Sequence, residues 1–211
     1  MIKNLSEILI ASNNSGKISE ISQLLDQHSI KSIAPSSLGL QITEPEETSD
    51  TFAGNALIKA KYYGHLSSKT SLSDDSGLCI KALDGAPGVH SARFAVDDNG
   101  NKNFNFAFDK ILTLLKNYNL DPENDLVEAY FICNLCLYNP ASNSYISFEG
   151  RVDGRICGAR GNKGFGYDPI FIKNGMSLSF GQIDAYEKEK ISHRALAFNK
   201  LIDWLKKNKN I

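Results

Sequence analysis

The 211-residue sequence has no excess of either charge, no long apolar run and few cysteines, and each absence removes a class of function. Lysine and arginine number 23 against 24 aspartates and glutamates, a formal net charge of −1. There is thus no global basic field to draw in nucleic acid and no polybasic anchor for an anionic membrane, and neither is an expected partner. No run approaches the roughly 20 apolar residues that a membrane helix requires. Met1–Ile10, with a single lysine and interrupted apolar residues, is too short and broken for a signal peptide. A soluble, cytoplasmic protein is expected. The four cysteines, at 79, 133, 136 and 157, are too scattered for a disulfide framework. Cys133-Asn134-Leu135-Cys136 has redox or zinc spacing but lies in Glu128–Tyr138, an aromatic and apolar stretch that reads as a buried strand. Strand residues three apart point to opposite faces, so the two sulfurs diverge. No repeat, low-complexity segment or interdomain linker is visible. A composition of 42% hydrophobic and 22% charged residues suits one large α/β unit or one domain of two lobes.

What is present centres on Leu72-Ser73-Asp74-Asp75-Ser76-Gly77-Leu78, which sets two carboxylates, a hydroxyl and a glycine between short apolar runs. Ser71–Ser73 and Leu78–Ile80 read as short extended segments, so the acidic pair is expected where a buried strand ends and the chain turns. Adjacent strand residues point to opposite faces. If the strand stays regular, only one of Asp74 and Asp75 faces a given cleft, and the other must meet backbone, a basic side chain or solvent. In isolation Asp-Asp-Ser-Gly also suits an Asx-type turn.

Ile8–Ala11 is a compact apolar run followed by Ser12-Asn13-Asn14-Ser15-Gly16-Lys17, after which Ile18, Ile21, Leu24 and Leu25 recur at helical spacing up to Gln27. A polar loop ending in Gly-Lys at a helix N-terminus offers backbone N–H groups and the positive dipole end to an anion. It is not a Walker A loop, because Ala11 and Ile18 stand where that motif needs Gly and Ser or Thr. From Ile30 to Ile42 the chain reads as a short strand, a Pro-Ser-Ser turn and another extended piece. Thr43–Thr48 is an acidic loop, and Asp50-Thr51 caps a helix from Phe52 towards Leu66 with Phe52, Ala56, Ala60 and Tyr63 on its buried stripe. Asn55 and Lys59, four apart, share a face of that helix. Carboxylates followed by a lysine suit a metal-bound triphosphate, since Mg²⁺ is held by one or two carboxylates plus phosphate oxygens.

Leu83–Phe94 reads as a shaped loop and Asp97–Lys102 as a polar one. Asn103 begins a helix with Phe104, Phe108, Ile111, Leu112 and Leu115 on one face, and Glu128–Tyr138 and Tyr145–Val152 form a hairpin. Gly158–Asp168 is rich in glycine, which lets backbone approach a ligand closely while Phe165 or Tyr167 could cover a flat ring. It lacks the dinucleotide fingerprint, because Gly164-Phe165-Gly166 runs into Tyr-Asp-Pro. Tyr186–Arg194 leads into a helix with Ala197, Leu201, Trp204 and Leu205 inward and Ser192 as N-cap. That puts His193 and Arg194 in the first turn, against the helix dipole unless an anion is near.

Taken in order, Ser-Asn-Asn-Ser-Gly-Lys, Glu-Glu-Thr…Thr-Phe-Ala-Gly-Asn-Ala-Leu-Ile-Lys-Ala, Ser-Asp-Asp-Ser-Gly-Leu, Gly-Ala-Pro-Gly-Val-His-Ser-Ala-Arg, Lys-Gly-Phe-Gly-Tyr-Asp-Pro-Ile-Phe and Lys-x-x-Ile-Ser-His-Arg resemble the inosine triphosphate pyrophosphatase family from about Ile8 to Trp204. The resemblance implies a homodimeric, two-lobed α/β protein, one domain over residues 1–211, with a long central mixed β-sheet flanked by helices and a substrate cleft between the lobes. It implies Mg²⁺-dependent hydrolysis of ITP, dITP and XTP to the monophosphate and pyrophosphate. Ser12, Asn13, Asn14, Ser15, Gly16 and Lys17 would hold the triphosphate, with Lys59 a second positive charge. Asp75 would be metal ligand and general base with Asp74 beside it, Ser76 would touch substrate, and Glu47 or Glu46 would help hold the metal. Phe165, Gly166, Tyr167, Asp168, Lys188, His193 and Arg194 would enclose and read the purine. Two departures from the family pattern are Gly181-Gln182 in place of Ala-Glu and Ser-Asn-Asn in place of Thr-Gly-Asn. The alternatives are a Maf-like pyrophosphatase for other modified nucleotides and a nucleotide-binding module without turnover.

Overall fold

The computed structural model describes residues 7–39 and 43–208. The chain divides into two compact units. The first holds the residues up to Asp75, Cys133–Gly150 and those from Arg194 onward, and the second holds Ser76–Ile132 and Arg151–His193.

The strands are β1 (Glu7–Ala11), β2 (Lys31–Ile33), β3 (Ser71–Ile80), β4 (Glu128–Asn139), β5 (Ser144–Ile156) and β6 (Phe171–Lys173), and the sheet order is β2-β1-β3-β4-β5-β6. β1 pairs in parallel with β2 and with β3, Ile10 lying opposite Leu72, while β5 and β6 are antiparallel. The sheet is therefore mixed, as expected. The helices are α1 (Ser15–Asp26), α2 (Phe52–Ser67), α3 (Ser91–Phe94), α4 (Phe104–Lys116), α5 (Ala185–Ile191) and α6 (His193–Asn208). Among the described residues no helix is long and apolar enough to cross a membrane.

Strand alternation sorts the core of the first unit by face. Ile8, Ile10, Leu72, Cys133, Leu135 and Leu137 pack with Ile21, Leu24 and Leu25 of α1 and with Ala197, Phe198 and Leu201 of α6. Leu9 and Ala11 pack with Tyr63 of α2, and Cys136 and Tyr138 with Ala56 and Ala60 of the same helix. Cys133 and Cys136 thus sit in different clusters, which disposes of the C-x-x-C spacing as a pair. In the second unit, Ala107, Phe108, Ile111 and Leu115 of α4 close over Leu78, Ile80, Ala129, Phe131, Val152 and Ile156. Fully burying one such side chain stabilises by about 1.5–3 kcal/mol.

Helix starts follow local chemistry. The Asn14 side chain accepts from Lys17 N at the head of α1, Thr51 from Gly54 N at α2, and Asn103 from Phe106 N at α4. Two segments differ from the sequence reading. β3 runs unbroken through Asp74-Asp75-Ser76-Gly77 where a turn was expected, because both carboxylates find cations inside the fold and need not reach water. Ala185–Ile191 is a helix, capped by Asp184, rather than a lead-in; Ser192 follows it with extended backbone and immediately precedes α6. Pro35–Leu38 is a 3₁₀ turn closed by Gly39 at φ 65°, and the extended piece expected to run to Ile42 lies outside the described residues.

Candidate active site

The strand alternation that splits the core also splits the acidic pair. Asp75 points to α2, where Lys59 Nζ lies 2.6 Å from Asp75 Oδ1 and 2.9 Å from Glu47 Oε1. Ser71 Oγ donates to Ala60 O and Ser73 Oγ to Ala56 O, tying β3 to the flank of α2. The loop carrying Glu47 is fixed to the first turn of the same helix. Ser49 N donates to Asn55 Oδ1, and Gly54 lets Ser49 approach, since a Cβ there would lie 2.0 Å from Ser49 Oγ. Asp75 is 5% exposed, and its Oδ2 is buried with no hydrogen-bond partner. Burial raises the Asp75 carboxyl above its ordinary range, outweighing Lys59 and Lys17, which pull it down. Burial also disfavours the charge on Lys59, but Asp75 and Glu47 together hold its ammonium above the usual lysine value.

A bare, buried carboxylate oxygen beside an ammonium shared by two carboxylates suits a hard cation or a proton. Among the described residues no cluster of three or more His, Cys, Asp or Glu is disposed around a metal position. The Asp75 and Glu47 pair matches Mg²⁺, which takes one or two carboxylates and completes its shell with water and phosphate oxygens. The structure brings Glu47 to this cluster and leaves Glu46 exposed.

Asp74 points the other way and is 1% exposed. Its Oδ1 lies 2.6 Å from Lys17 Nζ and its Oδ2 2.8 Å from Arg194 Nε, while the Cys133 thiol donates to Oδ2 at 3.0 Å. Arg194 NH1 in turn pairs with Glu20. Burial pushes the Asp74 carboxyl up, but Arg194 and Lys17 override it and hold the group well below the ordinary carboxylate range. With both oxygens engaged by cations, Asp74 is built to hold Lys17 and not to take a proton. The anion that the first turn of α6 demanded is therefore internal: Arg194, at 1% exposure, is committed to Asp74 and Glu20.

In the polar loop, backbone amides meet side-chain oxygens. Asn14 N donates to Ser12 Oγ at 3.1 Å, and Asn13 N to the Glu44 carboxylate at 2.8 Å. With Lys17 N satisfied by the Asn14 side chain, the Ser15 and Gly16 amides remain as the donors of the helix N-terminus.

The remaining candidates lie in the second unit. Asp168, 2% exposed, accepts from Phe165 N at 2.8 Å and from Lys188 Nζ at 2.6 Å; the same ammonium sits 4.6 Å from the Phe165 ring centre. Gly164 is at φ +71°, and a Cβ there would come within 2.2 Å of Asp168 Oδ2, so this close approach needs glycine. Half-buried Phe165, with Gly166 at φ +67° beside it, keeps a ring at the surface of the loop. Tyr167 does not: it is 4% exposed, stacks edge-on to Phe104, and donates to Ser91 O at 2.8 Å, so it serves the core. His193 lies nearly parallel to Phe131, ring centres 4.7 Å apart, and is 4% exposed. Ser76 is half-buried, one residue beyond Asp75 on β3. The Gly181-Gln182 departure has a local cause. Gly181 N donates to Asp168 O and Gly181 O accepts from Lys163 N, while a Cβ on Gly181 would lie 2.6 Å from Arg160 O.

Four residues that bond to the site were not among its expected members: Glu20, Glu44, Ser73 and Cys133. Only Glu20 left a signal, lying three residues after Lys17 and hence on the same face of α1.

The model of the Ham1 family matches residues 8–204. The chain belongs to the Ham1 family. It is similar to the dITP/XTP pyrophosphatase of Caulobacter vibrioides, 42% identical over 93% of this chain and 96% of that protein. The dITP/XTP pyrophosphatase of Ruegeria pomeroyi is 41% identical over 92% of this chain and 93% of its own length. Among solved structures, the Ham1 protein of Staphylococcus aureus superposes with a TM-score of 0.80 at 36% identity, covering 96% of this chain and all of that one. A HAM1 protein from Coxiella burnetii gives 0.81 at 35% identity, over 95% of this chain and 98% of its own. Both acidic-pair residues, the polar loop and the glycine loop of this Ham1-family chain fall inside the matched span.

Proposed function

We propose that this Ham1-family chain hydrolyses non-canonical purine nucleoside triphosphates (dITP, ITP and XTP) to the nucleoside monophosphate and pyrophosphate. The observation that carries the reading is the buried Asp75 Oδ2 without a partner, set beside the Lys59 ammonium that Asp75 shares with Glu47. The names of the relatives, dITP/XTP pyrophosphatases at about two-fifths identity along nearly the whole chain, support the substrate class.

In this reading water attacks the α-phosphorus and its proton passes to Asp75. The bond from the α-phosphorus to the bridging oxygen breaks, and pyrophosphate leaves with the electron pair. A well-placed general base contributes about 10²–10⁴-fold. Ser12, the Ser15 and Gly16 amides, Lys17 and Lys59 neutralise the phosphates and the departing pyrophosphate. Asp75 and Glu47 would hold Mg²⁺, which when bound supplies charge neutralisation and polarises the phosphoryl oxygens. By the family resemblance, Phe165, Asp168, Lys188, His193 and Arg194 would take the base. Hypoxanthine and xanthine present an acceptor at position 6 where adenine presents a donor, so a site of donors prefers them, and a buried donor left unpaired penalises the wrong base. A homodimer and a cytoplasmic location belong to the same proposal, on the strength of the family resemblance. Light scattering on the purified chain tests the first.

The experiment is release of pyrophosphate from dITP, ITP and XTP with Mg²⁺, beside GTP and ATP, for the wild type and Asp75→Asn. Fast release from the first three, lost in the variant, is expected. Orthophosphate as the product, or equal rates on all five, overturns the reading. Selectivity for other modified nucleotides would favour a Maf-like activity, and binding without turnover a nucleotide-binding module.

A further inference from the structure

Among the described residues, three buried side-chain atoms of the first unit that lack a hydrogen-bond partner stand at one level of the sheet: Asp75 Oδ2, Asn55 Nδ2 and Asn134 Oδ1. Asn55 is 0% exposed, and Asp75 and Asn134 are 5% each. An orphaned polar atom in a protein interior costs free energy, so three at one level ask for a shared cause. The packing of α2 on β3 and β4 brings them together. A Cβ on Gly64 of α2 would meet the Tyr138 ring at 2.7 Å and Ser71 Oγ at 3.0 Å, so both strands lie under that turn. One turn back along the helix, Ala60 O accepts from Ser71 Oγ; a further turn back, Ala56 O accepts from Ser73 Oγ, and both alanines pack on Cys136. Two residues further along each strand stand Asp75 and Asn134, facing α2 by the same alternation. Asn55 is the next residue of the helix, one turn before the Lys59 that reaches Asp75. On the other face of the sheet the Cys133 thiol meets Asp74, which places the same stretches of β3 and β4 side by side.

We propose that Asn55 and Asn134 are catalytic residues in the reaction argued above: with Asp75 Oδ2, the Asn55 amide nitrogen and the Asn134 amide oxygen hold the water that attacks the α-phosphorus. The proposal rests on that reading of Asp75 as the general base. Ser49 N donates to Asn55 Oδ1 at 2.9 Å, which settles the amide and leaves its nitrogen as the inner end. Two acceptors and one donor suit a water, which in protein interiors makes about three hydrogen bonds. Asp75 Oδ2 and Asn134 Oδ1 accept its two protons, and the Asn55 N–H occupies one lone pair, so the second lone pair is left for phosphorus. As the new oxygen–phosphorus bond forms, one proton passes to Asp75 Oδ2 and the other stays on the oxygen, against Asn134. The bond to the bridging oxygen breaks, and its electron pair leaves with pyrophosphate. Asp75 Oδ1 keeps Lys59 throughout. The two amides add no charge, so they orient the nucleophile without opposing the phosphates.

Orientation of the water matters only once its bond to phosphorus forms, so its loss lowers kcat and leaves KM in place. The test is steady-state kinetics on dITP for the wild type, Asn134→Val and Asn55→Asp, with melting temperatures, and crystal structures of the wild type and Asn134→Val. Asn134→Val removes the acceptor and leaves a side chain that suits a strand. Asn55→Asp keeps an oxygen for Ser49 N and puts an acceptor where the donor was. Rates are taken on the alkaline plateau of each pH profile, where the new charge no longer affects the ionisation of Asp75. The expected result is a kcat lowered at least about tenfold in each variant with KM within about threefold. Asn134→Val should melt no lower than wild type, because it relieves an orphaned oxygen. The wild-type crystal should show an ordered water within hydrogen-bond reach of all three atoms, and Asn134→Val should lose it. A wild-type kcat in either variant, a change confined to KM, a lowered melting temperature in Asn134→Val, or no water among the three atoms overturns the proposal. If the wild type releases no pyrophosphate from dITP, the functional reading fails, and the crystal structures still decide whether the three atoms hold a water.

Discussion

Replacing Asp74 by asparagine removes a negative charge while keeping the shape of the side chain. The wild-type carboxylate is fully buried between Lys17 and Arg194, with the Cys133 thiol donating to it. Asparagine accepts through one oxygen only, and its amide N–H groups would face the donors of either Lys17 or Arg194. Arg194, the buried cation of the two, would keep the Glu20 carboxylate but lose that of Asp74. Breaking a buried ion pair from one side costs about 3–5 kcal/mol, and in a chain of this length each kcal/mol lowers Tm by about 2–4 °C. A fall of about 6–20 °C at pH 7 is expected. The pH dependence carries a second check. Asp74 has a folded pKa held well below its unfolded value, so its stabilisation is complete above the unfolded value and disappears as pH falls through the folded one. The gap between wild type and Asp74→Asn, followed by thermal unfolding from pH 7 downwards, is therefore constant at neutral pH and narrows only below about pH 4. A variant whose Tm lies within about 2 °C of wild type at pH 7 would refute the assignment of Asp74 as the holder of both cations.

Two further outcomes follow from the same geometry. Because burial raises the Asp75 carboxyl and a general base must be ionised, kcat/KM of the free enzyme should fall on the acid side at a pH above the ordinary carboxylate value of about 4. Lys59→Met should move that limb higher still, and a wild-type limb below pH 4 would remove Asp75 from the role. Gly181→Ala should destabilise by about 1–3 kcal/mol, since its Cβ would meet the Arg160 carbonyl and Pro169 backbone at 2.6–2.7 Å. An unchanged melting temperature would mean that the glycine loop yields without cost.

What was legible in the sequence is what local physics governs. The switch from an apolar run to helical spacing around Ser12–Lys17, the Thr51 cap of α2 and the start of α4 at Asn103 are decided within a few residues and are found as expected. The turn expected at Asp74–Gly77 failed because composition there argues for a turn, whereas the partners that permit a strand are supplied from positions 17, 59 and 194. Of the two rings that the glycine-rich loop offered, Tyr167 is the buried one, because Phe104 and Phe108 supply a core for it. Period-two alternation nevertheless offered the most consequential feature on one condition, that neighbouring aspartates part if the strand stays regular, and β3 meets that condition. One turns to Lys59 and keeps a bare oxygen, with its carboxyl raised by burial; the other turns to Lys17 and Arg194, with its carboxyl lowered by them. Two residues of the same type, one bond apart in the chain, are thus fitted for opposite work. In the proposed reaction, the one that resists protonation secures the cation for the phosphates, and the one that accepts a proton more readily is left to meet water.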